Sequence, residues 1–197
     1  PAVLALLDER GATGTASVKL RTLVLQAMAD RADETVVDGV LERLRMESAP
    51  DRRREYVDLL TRVYKKPAAW VYWGFRPAPR PANPVAWERT ATIGNALDRA
   101  LADTDHAVRT FALQRMRREA LPVRLAALSG WLKAEKNPDH VAAILAAIKD
   151  HPSADIRSLL IETVLSKPRT DKNRLAAFNL LLAGMNDKSA GKLLDLA

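Results

Sequence analysis

The sequence contains no cysteine. These residues can therefore form no disulfide, no thiolate metal site and no covalent haem attachment. Long apolar runs are missing too, because no stretch reaches the roughly 18 apolar residues that a membrane span needs. The N-terminus also lacks the basic-then-apolar pattern of a secretory signal. We therefore expect no membrane span within these residues.

The sequence also lacks the short motifs that mark common catalytic sites. No Gly-x-Ser-x-Gly elbow, Walker loop or dinucleotide glycine fingerprint is present. The three histidines, His106, His140 and His151, do not pair at the i,i+4 spacing of a helical metal site. Asp103-x-Asp105-His106 is typical of a solvated acidic turn at a helix start. We predict no catalytic residue, no cofactor and no metal, and an enzyme subunit completed by other domains stays an alternative.

Charge of one sign is only in modest excess. The formal charge of +7 arises from 31 Lys and Arg against 24 Asp and Glu, with both signs interspersed. Two basic runs, Arg52-Arg53-Arg54 and Arg115-x-Arg117-Arg118, each have acidic neighbours along the chain. We interpret them as solvated helix faces. The alternative is a nucleic-acid partner, held as in HEAT-like DNA repair glycosylases, if the basic residues share one concave surface.

Helical periodicity is what the sequence does contain. Apolar residues recur at helical spacing, strand-like alternation is nearly absent, and Asp33, Asn137-Pro138, Ser153 and Thr170 are predicted caps. The fold class is therefore all-α. We predict helices at roughly 2–9, 17–30, 33–48, 51–65, 88–103, 106–119, 121–136, 138–150, 154–167, 171–185 and 188–197. Short connections make successive helices antiparallel.

Several of these helices carry an apolar face that needs a neighbour to cover it. The predicted faces are Leu20, Leu23, Val24, Ala27 and Met28; Val108, Phe111, Ala112 and Met116; Val141, Ile144, Leu145 and Ile148; and Ile156, Leu159, Leu160 and Val164. An apolar-Arg dipeptide recurs near helix starts, and both Arg21 to Arg54 and Arg124 to Arg157 span 33 residues. A period of this length is typical of stacked helical pairs.

The segments Asp105-His106-Ala107-Val108-Arg109 and Asp155-Ile156-Arg157 resemble the start of the second helix in HEAT repeats. The resemblance implies a right-handed α-solenoid of antiparallel helix pairs. It also implies a ladder of ion pairs between neighbouring repeats, with Asp105, Arg109, Asp155 and Arg157 as candidates. We interpret this ladder as structural.

Residues 67–87 interrupt the helical pattern with five prolines and three of the four tryptophans. Proline excludes a helix here, and so many aromatics predict an ordered, packed segment instead of a linker. We expect a clasp on the solenoid in which Arg76 or Arg80 stacks on an indole. Its aromatic members are Trp70, Tyr72, Trp73, Phe75 and Trp87. The alternative is that the same aromatics form an exposed docking patch.

Residues from about 63 to 124 are similar to a stretch of large multidomain haem-binding bacterial proteins of the PVC type. That resemblance implies an exported, periplasmic parent with a β-propeller and a c-type cytochrome module. Since there is no cysteine, the haem site is not carried over. We expect helical pairs at 1–66, the insertion at 67–87 and helical pairs at 88–197, forming one continuous domain of a larger protein. The expected function is a non-catalytic scaffold whose partners are flanking domains of the same chain or another protein.

Overall fold

The computed structural model describes residues 2–5, 7–8, 15–68, 72–73, 76–77 and 84–184. In this part of the chain the fold is all-α, as predicted, with nine helices of 10 to 17 residues and one additional helical turn. The helices are α1 (Ala2–Ala5), α2 (Thr15–Arg31), α3 (Glu34–Met46), α4 (Pro50–Arg62), α5 (Thr90–Ala100), α6 (His106–Arg118), α7 (Leu125–Ala134), α8 (Pro138–Ile148), α9 (Ser153–Leu165) and α10 (Asp171–Ala183). The helix predicted at 188–197 lies outside the described residues.

Three of the four predicted caps are confirmed. Asp33 accepts a hydrogen bond from the Val36 amide at 3.2 Å, and the Asn137 side chain and Thr170 hydroxyl accept from the first turns of α8 and α10. The fourth prediction, Ser153, is wrong. Ser153 is already the first residue of α9, and the cap position is Pro152, whose ring has no acceptor to offer.

Residues 1–122 and 123–197 form two compact units. In the first unit α4 is central, because it packs on α2, α3, α5 and α6. Its residues Tyr56, Val57 and Leu60 are almost completely buried. In the second unit α10 packs on α8 and α9, and α7 packs on α8. The predicted face of α8 is buried throughout.

The predicted apolar face of α2 divides into two. Val24 and Met28 are buried, whereas Leu20 and Leu23 are 51% and 62% exposed and Ala27 is also exposed. Successive residues of a helix point about 100° apart, so positions 23 and 24 cannot face the same neighbour equally. The prediction that one neighbour covers all five residues is therefore wrong.

The ends of the 67–87 insertion are joined by backbone hydrogen bonds. Lys66 and Val85 form an isolated antiparallel bridge, with N···O distances of 2.8 and 3.1 Å. Within the insertion, β1 (Tyr72–Trp73) pairs antiparallel with β2 (Arg76–Pro77). The insertion therefore leaves and re-enters the helical array at nearly one point.

Candidate interaction surfaces

Arg21 joins three segments of the first unit. Its Nε donates to Glu55 Oε2 of α4 at 2.6 Å, and its Nη1 donates to the Leu7 carbonyl at 2.8 Å. Its Nη2 lies 3.3 Å from the Tyr56 hydroxyl. Burial alone lowers the pKa of this guanidinium, but the hydrogen bonds to Glu55 and Tyr56 outweigh burial and raise it. The charged form of Arg21 is thus fixed between α2 and α4.

The sequence separation of this contact recurs elsewhere in the chain. Glu55 follows Arg21 by 34 residues. Three further contacts join residues 34 or 35 positions apart. They are the ion pair Asp8–Arg43, the bond from Arg169 to the Glu135 carbonyl, and the bond from Asn173 to the Pro138 carbonyl. Each unit therefore contains contacts with this sequence separation.

The contact between α4 and α6 fits the same spacing once the insertion is considered. Asp58 Oδ1 and Arg115 Nε lie 2.6 Å apart. They are 57 residues apart in the sequence, and 21 of these residues belong to the 67–87 insertion, which leaves 36. The insertion thus lies between α4 and α5 without removing the contact between α4 and α6.

The basic runs are largely neutralised by nearby carboxylates. Arg53 pairs with Asp103 at 3.0 Å, Arg54 pairs with Asp51, and Arg52 lies 3.9 Å from Glu47. Arg115 is buried between Asp58 and Glu119. Only Arg117 and Arg118 of these two runs are exposed residues, in the last turn of α6, where a cation is favourable for the helix dipole.

Two of the four candidate ladder residues, Asp105 and Arg109, have described contacts at the start of α6. Asp105 caps α6 and accepts from the amides of Ala107 and Val108 at 2.8 and 3.1 Å. Arg109 donates to the Asp103 carbonyl at 2.5 Å and thereby closes the loop before α6. Asp155 and Arg157 are exposed in the first turns of α9, in the other unit.

Of the predicted clasp residues, only Trp87 has a described side chain. Its Nε1 donates to the Val63 carbonyl at 2.9 Å, and Lys66 Nζ lies 4.0 Å from its ring centroid. This cation is Lys66, at the edge of the insertion, and the sequence analysis did not predict it. Tyr72, Trp73 and Arg76 are described only as backbone of β1 and β2. Trp70, Phe75 and Arg80 lie outside the described residues.

Sequence reasoning missed Glu135, a buried carboxylate between α7 and α8. It accepts from Trp131 Nε1 at 2.8 Å and from the amides of Lys136 and Asn137 at 2.9 Å, and His140 Nδ1 lies 3.3 Å away. Burial alone raises its pKa, but these hydrogen bonds lower the pKa to about 2. The sequence signal that could have indicated this residue is its position two residues before the Asn137 cap.

Several open grooves lie among the described residues of the first unit. One, of about 470 Å³, is lined by α2, α4 and α6 and contains the charged residues Asp51, Arg54, Glu55, Asp58 and Arg62. Another, of about 340 Å³, lies between α3 and α5. Its lining residues are Leu41, Leu44, Arg45, Thr92, Asn95, Ala96, Arg99, Ala100 and Asp103. Sequence reasoning did not find this second groove.

Comparison with known proteins identified no relative. No protein-family model matches the chain, and a search of curated proteins found no significant match. Among the described helices, none combines the length and apolar character needed to cross a bilayer.

Proposed function

We propose that this chain is a segment of a HEAT-like α-solenoid and acts as a non-catalytic scaffold that binds other domains. The observation that carries the proposal is the recurrence of contacts between residues 34 or 35 positions apart. A stack of similar helical pairs gives this pattern, because each repeat contacts its neighbours through equivalent positions.

The packing of alternate helices supports the same proposal. In the first unit α4 packs on both α2 and α6, its second neighbours along the chain, as well as on α3 and α5. In the second unit α8 packs on α10 in the same way. A solenoid places alternate helices side by side in this manner, whereas an up-and-down bundle closes its helices around one axis.

The ionisable residues support a structural role over a catalytic one. Glu135 is the buried carboxylate of the second unit, and its pKa of about 2 leaves it ionised at neutral pH. A general acid at neutral pH needs a raised pKa, and a general base needs one nearer to 7. Arg21 and Arg115 likewise join helices to each other. These groups fit a rigid scaffold.

A finer proposal concerns the parent protein. The similarity of residues 63–124 to PVC-type haem-binding proteins supports an exported, redox-linked parent in which the solenoid spaces or docks flanking domains. The rival is a nucleic-acid-binding solenoid. The carboxylates paired with Arg53, Arg54 and Arg115 count against it, since phosphate binding would require breaking those pairs.

The complete gene and a binding measurement test this proposal together. We expect the gene to encode a Cys-x-x-Cys-His motif downstream, and the neighbouring domains, expressed separately, to bind this chain in isothermal titration calorimetry. A gene that encodes this chain alone, combined with tight duplex binding by the chain, would contradict the scaffold proposal and favour the nucleic-acid rival.

A further inference from the structure

The groove between α3 and α5 has fixed walls. Both helices pack on α4, which lies beneath them. At the first turn of α5, Arg89 connects the two walls by contacting Asp38 at 2.8 Å and Glu34 at 3.3 Å, both on α3. At the other end, Arg53 of α4 contacts Asp103 at 3.0 Å. These contacts hold the two walls of the groove in place.

The floor of this groove is apolar. Leu41 and Ala100 are buried, and Leu44 and Ala96 are half-buried beside them. A volume of about 340 Å³ is at the lower end of the range for ligand pockets. It suits one or two aliphatic side chains, which the apolar floor can cover.

The rim of the groove is cationic. Arg45 on the α3 wall and Arg99 on the α5 wall are both exposed. Among the residues that the structure describes, no carboxylate lies within ion-pair distance of either arginine. Asp103, the acidic residue of the lining, is already engaged by Arg53 and by the Asp105 amide. The groove on the opposite side of α4 differs, because Arg54 and Arg62 there pair with Asp51 and Asp58.

Both arginines also lie in the last turn of their helices, where a cation favours the helix dipole. Arg31 has the same position in α2 and is exposed, but it does not line this groove. The dipole therefore accounts for a basic residue at the end of each of these three helices. It does not account for two of them on opposite walls of one apolar groove.

We propose that the α3–α5 groove binds an acidic peptide segment of a partner protein. An aliphatic side chain of the peptide packs on Leu44 and Ala96, and flanking carboxylates contact Arg45 and Arg99. Guanidinium groups suit this recognition because their paired donors match a carboxylate. The inference rests on the proposed scaffold function, since it names the surface and the class of partner that the scaffold uses.

Fluorescence polarisation with synthetic peptides tests the inference on the full chain. The probe is a short fluorescein-labelled peptide of glutamate and leucine. One control peptide has glutamine at every glutamate position, and another has serine at every leucine position. The chain variants are the double substitution Arg45→Glu with Arg99→Glu, and Arg31→Glu as a matched change in the last turn of another helix. Circular dichroism verifies that each variant is folded.

We expect the glutamate–leucine peptide to bind the unmodified chain, and both control peptides to bind at least about tenfold more weakly. The double substitution should weaken binding by about tenfold or more, and Arg31→Glu should change it by less than about twofold. Absence of peptide binding, or equal binding to the double variant, would overturn the inference. A DNA duplex that displaces the peptide at lower concentration would also overturn it in favour of nucleic acid.

Calorimetry with the neighbouring domains, on the unmodified chain and on the double variant, distinguishes this inference from the scaffold proposal. If neighbouring domains bind the chain and their binding is unchanged by the double substitution, the scaffold proposal stands and the groove assignment is wrong. If the peptide binds as expected but neighbouring domains do not, the groove is supported and the identity of the scaffold's partners is wrong.

Discussion

Arg21 and Glu55 are 34 residues apart in the sequence and 2.6 Å apart in the structure. Their contact joins α2 to α4, and the Arg21 side chain is only 15% exposed. Because the guanidinium also donates to the Leu7 carbonyl, its removal leaves more than one polar group without its partner. In the proposed architecture, this contact joins one helical pair to the next.

We predict that Arg21→Met lowers the free energy of unfolding by about 1–3 kcal/mol, since it removes charge-assisted hydrogen bonds from a mostly buried site. Arg54→Met is the matched control. Arg54 contacts Asp51 one turn away on the same helix, and that aspartate is 84% exposed, so we expect a loss of at most about 0.5 kcal/mol. Urea denaturation followed by circular dichroism measures both. Equal losses would show that the link between repeats contributes nothing beyond a surface pair.

The sequence allowed part of this link to be predicted. The spacing from Arg21 to Arg54 indicated a period of 33 residues, and the partner in the structure is Glu55, one position further along α4. Caps such as Asp33 and Asn137 could be predicted because capping depends on residues within one helical turn. Capping contacts are local, so the sequence alone predicts them.

What could not be predicted depends on tertiary packing. Leu23 and Val24 are both apolar, and only the position of neighbouring helices decides that Val24 is buried. Arg45 and Arg99 are 54 positions apart in the sequence, and their shared groove exists only because α3 and α5 both pack on α4. No spacing rule predicts such a pair across the 67–87 insertion.

Glu135 predicts a pH dependence of stability. Its pKa is lowered from 4.5 to about 2 in the folded chain, so the unfolded chain binds this proton more readily. The resulting stabilisation is complete above about pH 4.5 and is lost as the pH falls towards 2. A shift of this size corresponds to about 3 kcal/mol. We expect Glu135→Gln to reduce the change in unfolding free energy across this pH window.

Urea denaturation at a series of pH values between 6 and about 2 measures this effect. Glu162→Gln is the control, because Glu162 is an exposed carboxylate of the same unit that pairs with Lys133 at 3.3 Å. Its pH profile should match that of the unmodified chain. If Glu135→Gln also leaves the profile unchanged, the buried hydrogen bonds to this carboxylate do not stabilise the fold.

The contacts of Trp87 predict which interactions hold the end of the insertion against α4. Trp87→Phe keeps a ring but removes the hydrogen bond to the Val63 carbonyl, and we expect it to cost about 1 kcal/mol. Trp87→Ala also removes the ring beneath Lys66 and should cost about 2–4 kcal/mol. Val85→Ala, which alters an exposed side chain but keeps the backbone bridge, should cost little. Thermal denaturation compares the melting temperatures of the three variants. If all three melt at the same temperature, the Trp87 indole does not help to hold the insertion against α4.

The neutralised basic runs predict weak nucleic-acid binding. With Arg53, Arg54 and Arg115 paired to carboxylates, we expect at most weak, sequence-independent duplex binding that vanishes near physiological salt. Fluorescence anisotropy with a labelled duplex, titrated at low salt and at about 150 mM salt, measures it. Sub-micromolar affinity at the higher salt concentration would make the nucleic-acid rival the better account.

The most direct test of the proposed repeat architecture is a set of distances between spin labels. The absence of native cysteine means that introduced cysteines are the only labelling sites. Exposed positions Gln26 on α2, Arg62 on α4 and Arg118 on α6 serve in pairs, measured by electron paramagnetic resonance. A row of helices predicts about 10 Å for each adjacent pair and about 20 Å from α2 to α6. Three nearly equal separations, as in helices closed around one axis, would contradict the solenoid.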